Sequence, residues 1–263
     1  MTKNETIKNL GIMGGAFNPI HSRHLMVAQC AVDQLQIDRV LFVPSGQPPH
    51  KKAGMLDKEQ RFEMVAAAVA DNPRFEASRL EIDREGITWT IDTLKQLAAL
   101  HGPTVRLNFI IRDANLVSLP NYDRRQDFLS LCRLVVSPRA TTDAALLAHW
   151  KQELPEADLV ILDCPANEVS STLIRRWIAE GKSVRYLVHD AVSVILKEKK
   201  YYAAGPESSS EGAAEATDSG PAIAPAAVAD ASAVAPAVAT SLAPAVGDLA
   251  PAVAAPAEAA AHP

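Results

Sequence analysis

The stretch from Leu10 to His24 constrains this chain more than any other. Leu10, Ile12 and Met13 make a short apolar run of the kind that fills an interior parallel strand, and Gly14-Gly15 follows at once, where the chain must turn. Glycines without side chains let backbone N–H groups come close to an anion, and a helix that follows adds the positive end of its dipole. Asn18-Pro19 breaks the chain again, and Ser22 is placed to N-cap a helix running to about Leu35. His21 and His24, three residues apart at that helix start, can point to one side, toward whatever anion the glycine turn holds. Each part alone has a plainer reading. A Gly-Gly pair after a strand is a tight turn, two histidines near a helix start are solvated or capping, and a zinc site would need a third ligand at a familiar spacing. The combination is what points to a nucleotide phosphate.

Composition narrows the class. A chain of 263 residues with 48% hydrophobic content can build one large or two ordinary domains. All 26 Lys and Arg lie before residue 203, whereas seven of the 31 Asp and Glu lie after it, so residues 1–202 are positive by only two charges. Such a body has no general field for nucleic acid or an anionic membrane, and any anion site is local. Cys30, Cys132 and Cys164 are widely spaced without a CxxC pair, which fits buried thiols in a reducing cytoplasm better than disulfides or metal. The first residues are polar, with no secretory leader visible, and no apolar run reaches the length of a membrane span. The expectation is a cytoplasmic protein.

Along the chain, short β-branched runs alternate with helical patterns, the signature of βαβ units and a parallel sheet. Strands are expected at 39–43, 75–82, 106–111, 134–137 and 159–162, after the first one before Gly14. Helices are expected at 58–70, capped by Asp57 with Arg61 in its first turns, at 88–100, and from Thr141 or Thr142 to Trp150. Two more follow, one with Ile174, Trp177 and Ile178 on one face and ended by Gly181, and one at 190–199. The fold class is therefore α/β, a doubly wound parallel sheet in a single domain over residues 1–202. The loop 44–52 sits at a strand's carboxyl end, where open α/β sheets bind ligands. From residue 203 the composition turns to Ala, Pro, Val and Ser with recurring Ala-Pro-Ala-Val phrases. Prolines every few residues forbid a long helix and little is large enough to bury, so residues 203–263 read as a disordered or polyproline-like tail, dispensable in the first reading and a partner tether in the second.

The run Gly14-Gly15-Ala-Phe17-Asn18-Pro19-Ile-His21-x-x-His24 resembles the GGxFxPxHxxH motif of nucleotidyltransferases with a Rossmann-like fold, and among these it looks most like the bacterial nicotinate-nucleotide adenylyltransferases. Residues 8–202 carry the resemblance. Val169-Ser170-Ser171-Thr172-Leu-Ile174-Arg175 is similar to the family's ISSTxIR: hydroxyls at a helix N-terminus, free N–H groups and one arginine a turn in suit a triphosphate, and equally suit an ordinary cap with an exposed Arg. Pro48-Pro49-His50-Lys51 looks like the PPHK loop, which would bring Lys51 close to substrate phosphate. Trp89-Thr90-Ile91-Asp92-Thr93-Leu94 resembles the YTxxTL helix start that meets the pyridine nucleotide. Leu119-Pro120-Asn121-Tyr122 resembles LPxW, whose aromatic ring stacks on the pyridine, with Arg139 after the next strand.

The resemblance implies transfer of AMP from ATP to nicotinate mononucleotide. Gly14, Gly15 and His24 would steady the α-phosphate, and His21 and Arg175 would hold the outer phosphates with Ser170, Ser171 and Thr172. Phe17, Lys51 and Asp113 would belong to the same nucleotide site, with Trp89, Thr90, Tyr122 and Arg139 around the pyridine. Mg²⁺ would accompany ATP with few protein ligands and no dedicated metal site. The partners are ATP and a pyridine mononucleotide, without nucleic acid or membrane, and a homo-oligomer stays open. Departures from the pattern are Arg23 for a glycine, Asn18 for Asp, Tyr122 for Trp, His189 for a proline, and Arg112-Asp113 where the family reads IGxD. Two alternatives remain: a related transferase acting on phosphopantetheine or a nicotinamide nucleotide, and a non-catalytic nucleotide-binding descendant. Deleting residues 203–263 is expected to leave folding and activity intact, because that segment has no apolar periodicity to bury. Thermal melts and activities of the two chain lengths check this, and a large drop in melting temperature on truncation contradicts it.

Overall fold

The computed structural model describes residues 7–47, 54–139 and 144–203. The 48–51 motif with Lys51, the helix start expected at Thr141 or Thr142, and the tail from residue 204 lie outside the described residues. Six strands form one sheet in the order β3-β2-β1-β4-β5-β6: β1 (Asn9–Gly15), β2 (Arg39–Pro44), β3 (Phe75–Ala77), β4 (Arg106–Arg112), β5 (Arg133–Ser137) and β6 (Leu159–Ile161). Every pairing is parallel, with Gly14 opposite Val43 and Arg112 opposite Ser137 at the carboxyl ends. The helices are α1 (Ser22–Leu35), α2 (Lys58–Val69), α3 (Thr90–His101), α4 (Arg125–Leu131), α5 (Ala144–Glu153), α6 (Ser171–Ala179) and α7 (Asp190–Glu198). None is long and apolar enough to cross a membrane.

The strands are apolar on both faces because helices cover both, and the period of two sorts their side chains into two cores. Met13, Val40, Phe42, Ile110 and Val135 point to one side, where they meet Val27, Ala28 and Ala31 of α1, Met64 and Val65 of α2 and Val192 of α7. Ile12, Leu41, Val43, Phe109, Ile111 and Val136 point to the other, where they meet Ile91 and Leu94 of α3, Phe128 of α4 and Trp150 of α5. Strand order reverses between β1 and β4, so the crevice where a doubly wound sheet takes its ligand opens at the end of β1; Gly14 and Gly15, expected as the turn, are the last two residues of that strand, paired with Val43 and Pro44, and the chain turns only after them.

Some expectations change. The strand expected over 75–82 stops at Ala77: after Ser78 N–H donates to the Phe42 carbonyl (2.8 Å), the chain turns, and Asp83 N–H donates to the Arg79 carbonyl (2.9 Å). Ile82 is buried from that turn, so its apolar signal belongs to packing and not to the ladder. The 3-10 turn Asp113–Ser118 and α4 lie where no periodicity predicts them; α4 has seven residues and buries only Phe128 and Leu129, too few for a repeat. The cap of α1 is His21 in an extended conformation, one residue before the expected Ser22. Of the three thiols expected to be buried, only Cys132 is; Cys30 and Cys164 are half-buried. Gly46, just past β2, has a packing reason: a Cβ there would run into the Glu81 carbonyl.

Candidate active site

Six residues join β1 to α1, and side chains from distant elements hold them from behind. Phe17 adopts a left-handed backbone (φ 46°), which a bulky residue rarely does, and the Asn18–Pro19 peptide is cis. Arg61 of α2, 1% exposed, donates to the Ala16 carbonyl (2.6 Å), the Ser45 carbonyl (2.6 Å) and the Leu56 carbonyl (3.1 Å). Burial lowers the pKa of this guanidinium, and main-chain carbonyl dipoles compensate the charge. From the other side Arg175 of α6 donates to the Asn18 carbonyl (2.8 Å), and the Ser171 hydroxyl donates to the Pro19 carbonyl (2.8 Å). The Asn18 side-chain oxygen accepts from the Tyr202 hydroxyl (2.6 Å) and the Leu56 N–H (3.2 Å). Desolvation raises the pKa of that phenol, which keeps it a donor.

The two histidines meet at the start of α1 as their spacing predicts. Their rings stack with centroids 3.8 Å apart and 24° between planes, and Phe17 sets its ring against His24 edge-on at 5.0 Å. The His21 N–H donates to His24 Nδ1 (3.3 Å). An accepting Nδ1 means that the neutral ring carries its proton on Nε2, which makes that atom a donor. A cavity opens over this loop. Gly14, Gly15, Phe17, His21 and His24 line one side; Met13, Val27, Ile110 and Ile111 give it apolar walls; Arg23, Arg112, Asn115 and Ser137 close the far side.

The other sequence-predicted residues are placed less uniformly. Ser170 is the N-cap of α6, accepting from the Leu173 N–H (3.2 Å), so with Ser171 bonded to Pro19 both hydroxyls are engaged inside the protein. The first turn of α6 can also offer an anion the backbone N–H groups of Ser171 and Thr172. Arg175 also donates to the Thr172 hydroxyl (3.3 Å). Asp113, one residue past β4, accepts from the Ala114 N–H (2.8 Å) and the Arg139 N–H (3.3 Å), which ties the carboxyl ends of β4 and β5 together. Trp89 is the N-cap of α3 and Thr90 its first residue. Tyr122 departs from the expectation of an open stacking face. The residue is 7% exposed, its ring packs edge-on against Phe128 in the second core, and it is not among the residues that line the cavity.

Sequence reasoning missed several contributors. Arg61 sits in line with Met64, Val65 and Ala68 on the buried stripe of α2, and a charged residue on an apolar stripe was the signal available. Arg23, where the family has glycine, reaches from α1 to the Pro138 carbonyl (3.4 Å) and so spans the cavity's far side. Ser137, 2% exposed at the end of β5, has a hydroxyl without a hydrogen-bond partner among the described residues, and it lines the cavity. Its place at a strand's carboxyl end could have marked it. Among the described residues no group of three or more His, Cys, Asp or Glu is arranged to hold a metal ion.

Comparisons with known proteins agree with this geometry. A family model described as cytidylyltransferase-like matches residues 12–177. The probable nicotinate-nucleotide adenylyltransferase of Caldicellulosiruptor saccharolyticus is 39% identical over 196 residues, covering 73% of this chain and 98% of that one. That of Synechococcus sp. (strain JA-3-3Ab) is 39% identical over 198 residues, covering 74% and 95%. In fold, the chain is similar to Plasmodium falciparum nicotinic acid mononucleotide adenylyltransferase complexed with NaAD, with a TM-score of 0.62 and 19% identity over 74% of this chain and 97% of that one.

Proposed function

The chain belongs to the cytidylyltransferase-like nucleotidyltransferases and, within them, to the nicotinate-nucleotide adenylyltransferases, and from that membership we propose that it transfers AMP from ATP to nicotinate mononucleotide, giving the dinucleotide and pyrophosphate. The observation that carries the reading is the convergence, at the sheet's switch point, of the Gly14-Gly15 end of β1 and the stacked His21–His24 pair in one cavity, with α6 bonded to the intervening loop through Arg175.

In the reaction a phosphate oxygen of the mononucleotide attacks the α-phosphorus of ATP in line, the bond to the β-phosphate oxygen breaks, and pyrophosphate leaves. The protein needs no nucleophile for this; its work is positioning and stabilising charge. The Gly14 and Gly15 N–H groups and His24 Nε2 would donate to the α-phosphate, where charge builds. His21, Arg175 and the first-turn N–H groups of α6 would hold the outer phosphates. Mg²⁺ would come with ATP and would supply charge neutralisation at the phosphates, alongside the nitrogen donors of His21, His24 and Arg175.

His24→Ala is expected to lower kcat by two to three powers of ten, on the order of 3–4 kcal/mol, the scale for one preorganised donor. Binding of ATP should change much less, and a variant within about threefold of the parent would contradict the placement.

The pyridine ring is assigned to the start of α3, by Trp89 and Thr90, with Arg139 toward the same edge. Helix N–H groups only donate. A carboxylate accepts at both oxygens, whereas a carboxamide must turn an NH₂ toward a donor and leave it unpaired, at roughly 1–3 kcal/mol. Pyrophosphate release from ATP with nicotinate mononucleotide, nicotinamide mononucleotide or phosphopantetheine tests the reading. The acid form is expected to exceed the amide in kcat/KM by about ten- to a hundredfold. Equal values or an amide preference would overturn acid selectivity, and release with phosphopantetheine alone would overturn the substrate class.

A further inference from the structure

Arg23 carries a buried charge that the protein itself does not neutralise. It is the second residue of α1, between the two stacked histidines, and it is 8% exposed. Its guanidinium has five N–H donors. Yet the one hydrogen bond it makes among the described residues is long, from Nη2 to the Pro138 carbonyl (3.4 Å), and no Asp or Glu pairs with it there. Arg61 gives the contrast: buried on α2, it holds the Ala16, Ser45 and Leu56 carbonyls at 2.6 to 3.1 Å. A charge taken out of water without comparable partners is unfavourable, so tying α1 to the end of β5 does not account for an arginine here. None of its nitrogens is sealed away without a partner, so the donors that Pro138 leaves are open, and Arg23 is part of the cavity lining. That lining contains no carboxylate. It does contain Ser137, the neighbour of Pro138, whose buried hydroxyl also has no partner among the described residues, and Arg112, which pairs with Ser137 across the sheet. In the sequence Arg23 and Arg112 both stand where the family pattern has glycine; far apart in the chain, they line one cavity.

We propose that Arg23 is an added anion-binding residue of this cavity and that its ligand is a phosphate oxygen of the bound nucleotide. The inference rests on the transfer reading, because the phosphates of ATP, the mononucleotide and the pyrophosphate product are the anions that reaction brings to the cavity. A planar guanidinium suits them, since two parallel N–H groups can reach two oxygens of one phosphate. The phosphate supplies the negative charge that the folded chain lacks beside Arg23. Glycine at the same position offers no side-chain donor, so the contact adds to those assigned to Gly14, Gly15 and His24 and replaces none of them. In the ligand-free protein the guanidinium is kept at a cost to stability, so exchanging it for an apolar side chain of similar length leaves the fold as stable or more so.

The test compares the full chain with Arg23→Met, which keeps the apolar stem and removes the charge. Both are titrated calorimetrically with ATP, nicotinate mononucleotide and pyrophosphate at one Mg²⁺ and salt concentration, and both are melted without ligand. The variant is expected to bind at least one of the three about ten- to a hundredfold more weakly, and the ligand that loses most identifies the phosphate that Arg23 holds. Its ligand-free melting temperature should equal or exceed that of the parent. Affinities for all three within about threefold of the parent would overturn the proposal. So would tighter ATP binding by the variant, which would mean that the guanidinium occupies the nucleotide's space, and so would a melt several degrees lower, which would make Arg23 a strut to Pro138. A parent that binds none of the three would overturn the transfer reading and this inference together. Arg23→Gln repeats the comparison with a neutral polar side chain if methionine cannot be packed.

Discussion

Much of this molecule depends on a guanidinium buried under the loop that follows β1. Taking a charge out of water costs several kcal/mol, and Arg61 offsets that cost with main-chain carbonyls from three separate segments: Ala16 after β1, Ser45 after β2 and Leu56 before α2. A planar fork with five donors can reach all three at once, as an ammonium or an amide could not. The result is a rigid floor beneath the place where β1 and β2 end side by side, Gly14 opposite Val43 and Gly15 opposite Pro44. With Arg175 and Ser171 drawing the next part of the loop toward α6, the carbonyls of Ala16, Asn18 and Pro19 are all held by side chains from outside the loop.

That arrangement explains how a loop with a left-handed Phe17 can serve a precise purpose. Adenylyl transfer without a covalent intermediate gains its rate from donors that are already in place when charge builds on the α-phosphate. Here the His24 ring is fixed on three sides, by the His21 stack, by the Phe17 edge and by the His21 N–H on Nδ1. The atom proposed as the donor, Nε2, is therefore set by packing and need not be ordered on binding. Arg175 unites both aspects, since the same guanidinium that holds the Asn18 carbonyl is the one assigned to the outer phosphates.

The sheet was legible in the sequence because an interior parallel strand is an apolar run between glycine or proline breaks, and β1, β2, β4 and β5 all read that way. The seven-residue α4 was not, since seven residues cannot establish a period, and the edge strand β3 was expected but drawn too long, to 82 instead of Ala77. The histidine pair and the α6 start were visible as motifs, and their local contacts follow from spacing alone. Everything that depends on long-range contact was hidden. No spacing shows that the Ser171 hydroxyl donates to the Pro19 carbonyl or that the Tyr122 ring packs edge-on against Phe128.

The central claim is that Arg61 acts on catalysis by positioning the turn and not by touching substrate. Steady-state kinetics of Arg61→Lys, at a temperature where near-ultraviolet circular dichroism shows the variant folded, tests it most directly. Lysine keeps the charge but cannot reach the Ala16, Ser45 and Leu56 carbonyls together, so kcat is predicted to fall by about ten- to a hundredfold with KM for ATP changed little, the cost of a misplacement on the order of 1 Å. A folded Arg61→Lys variant with kcat within about threefold of the parent would contradict the account.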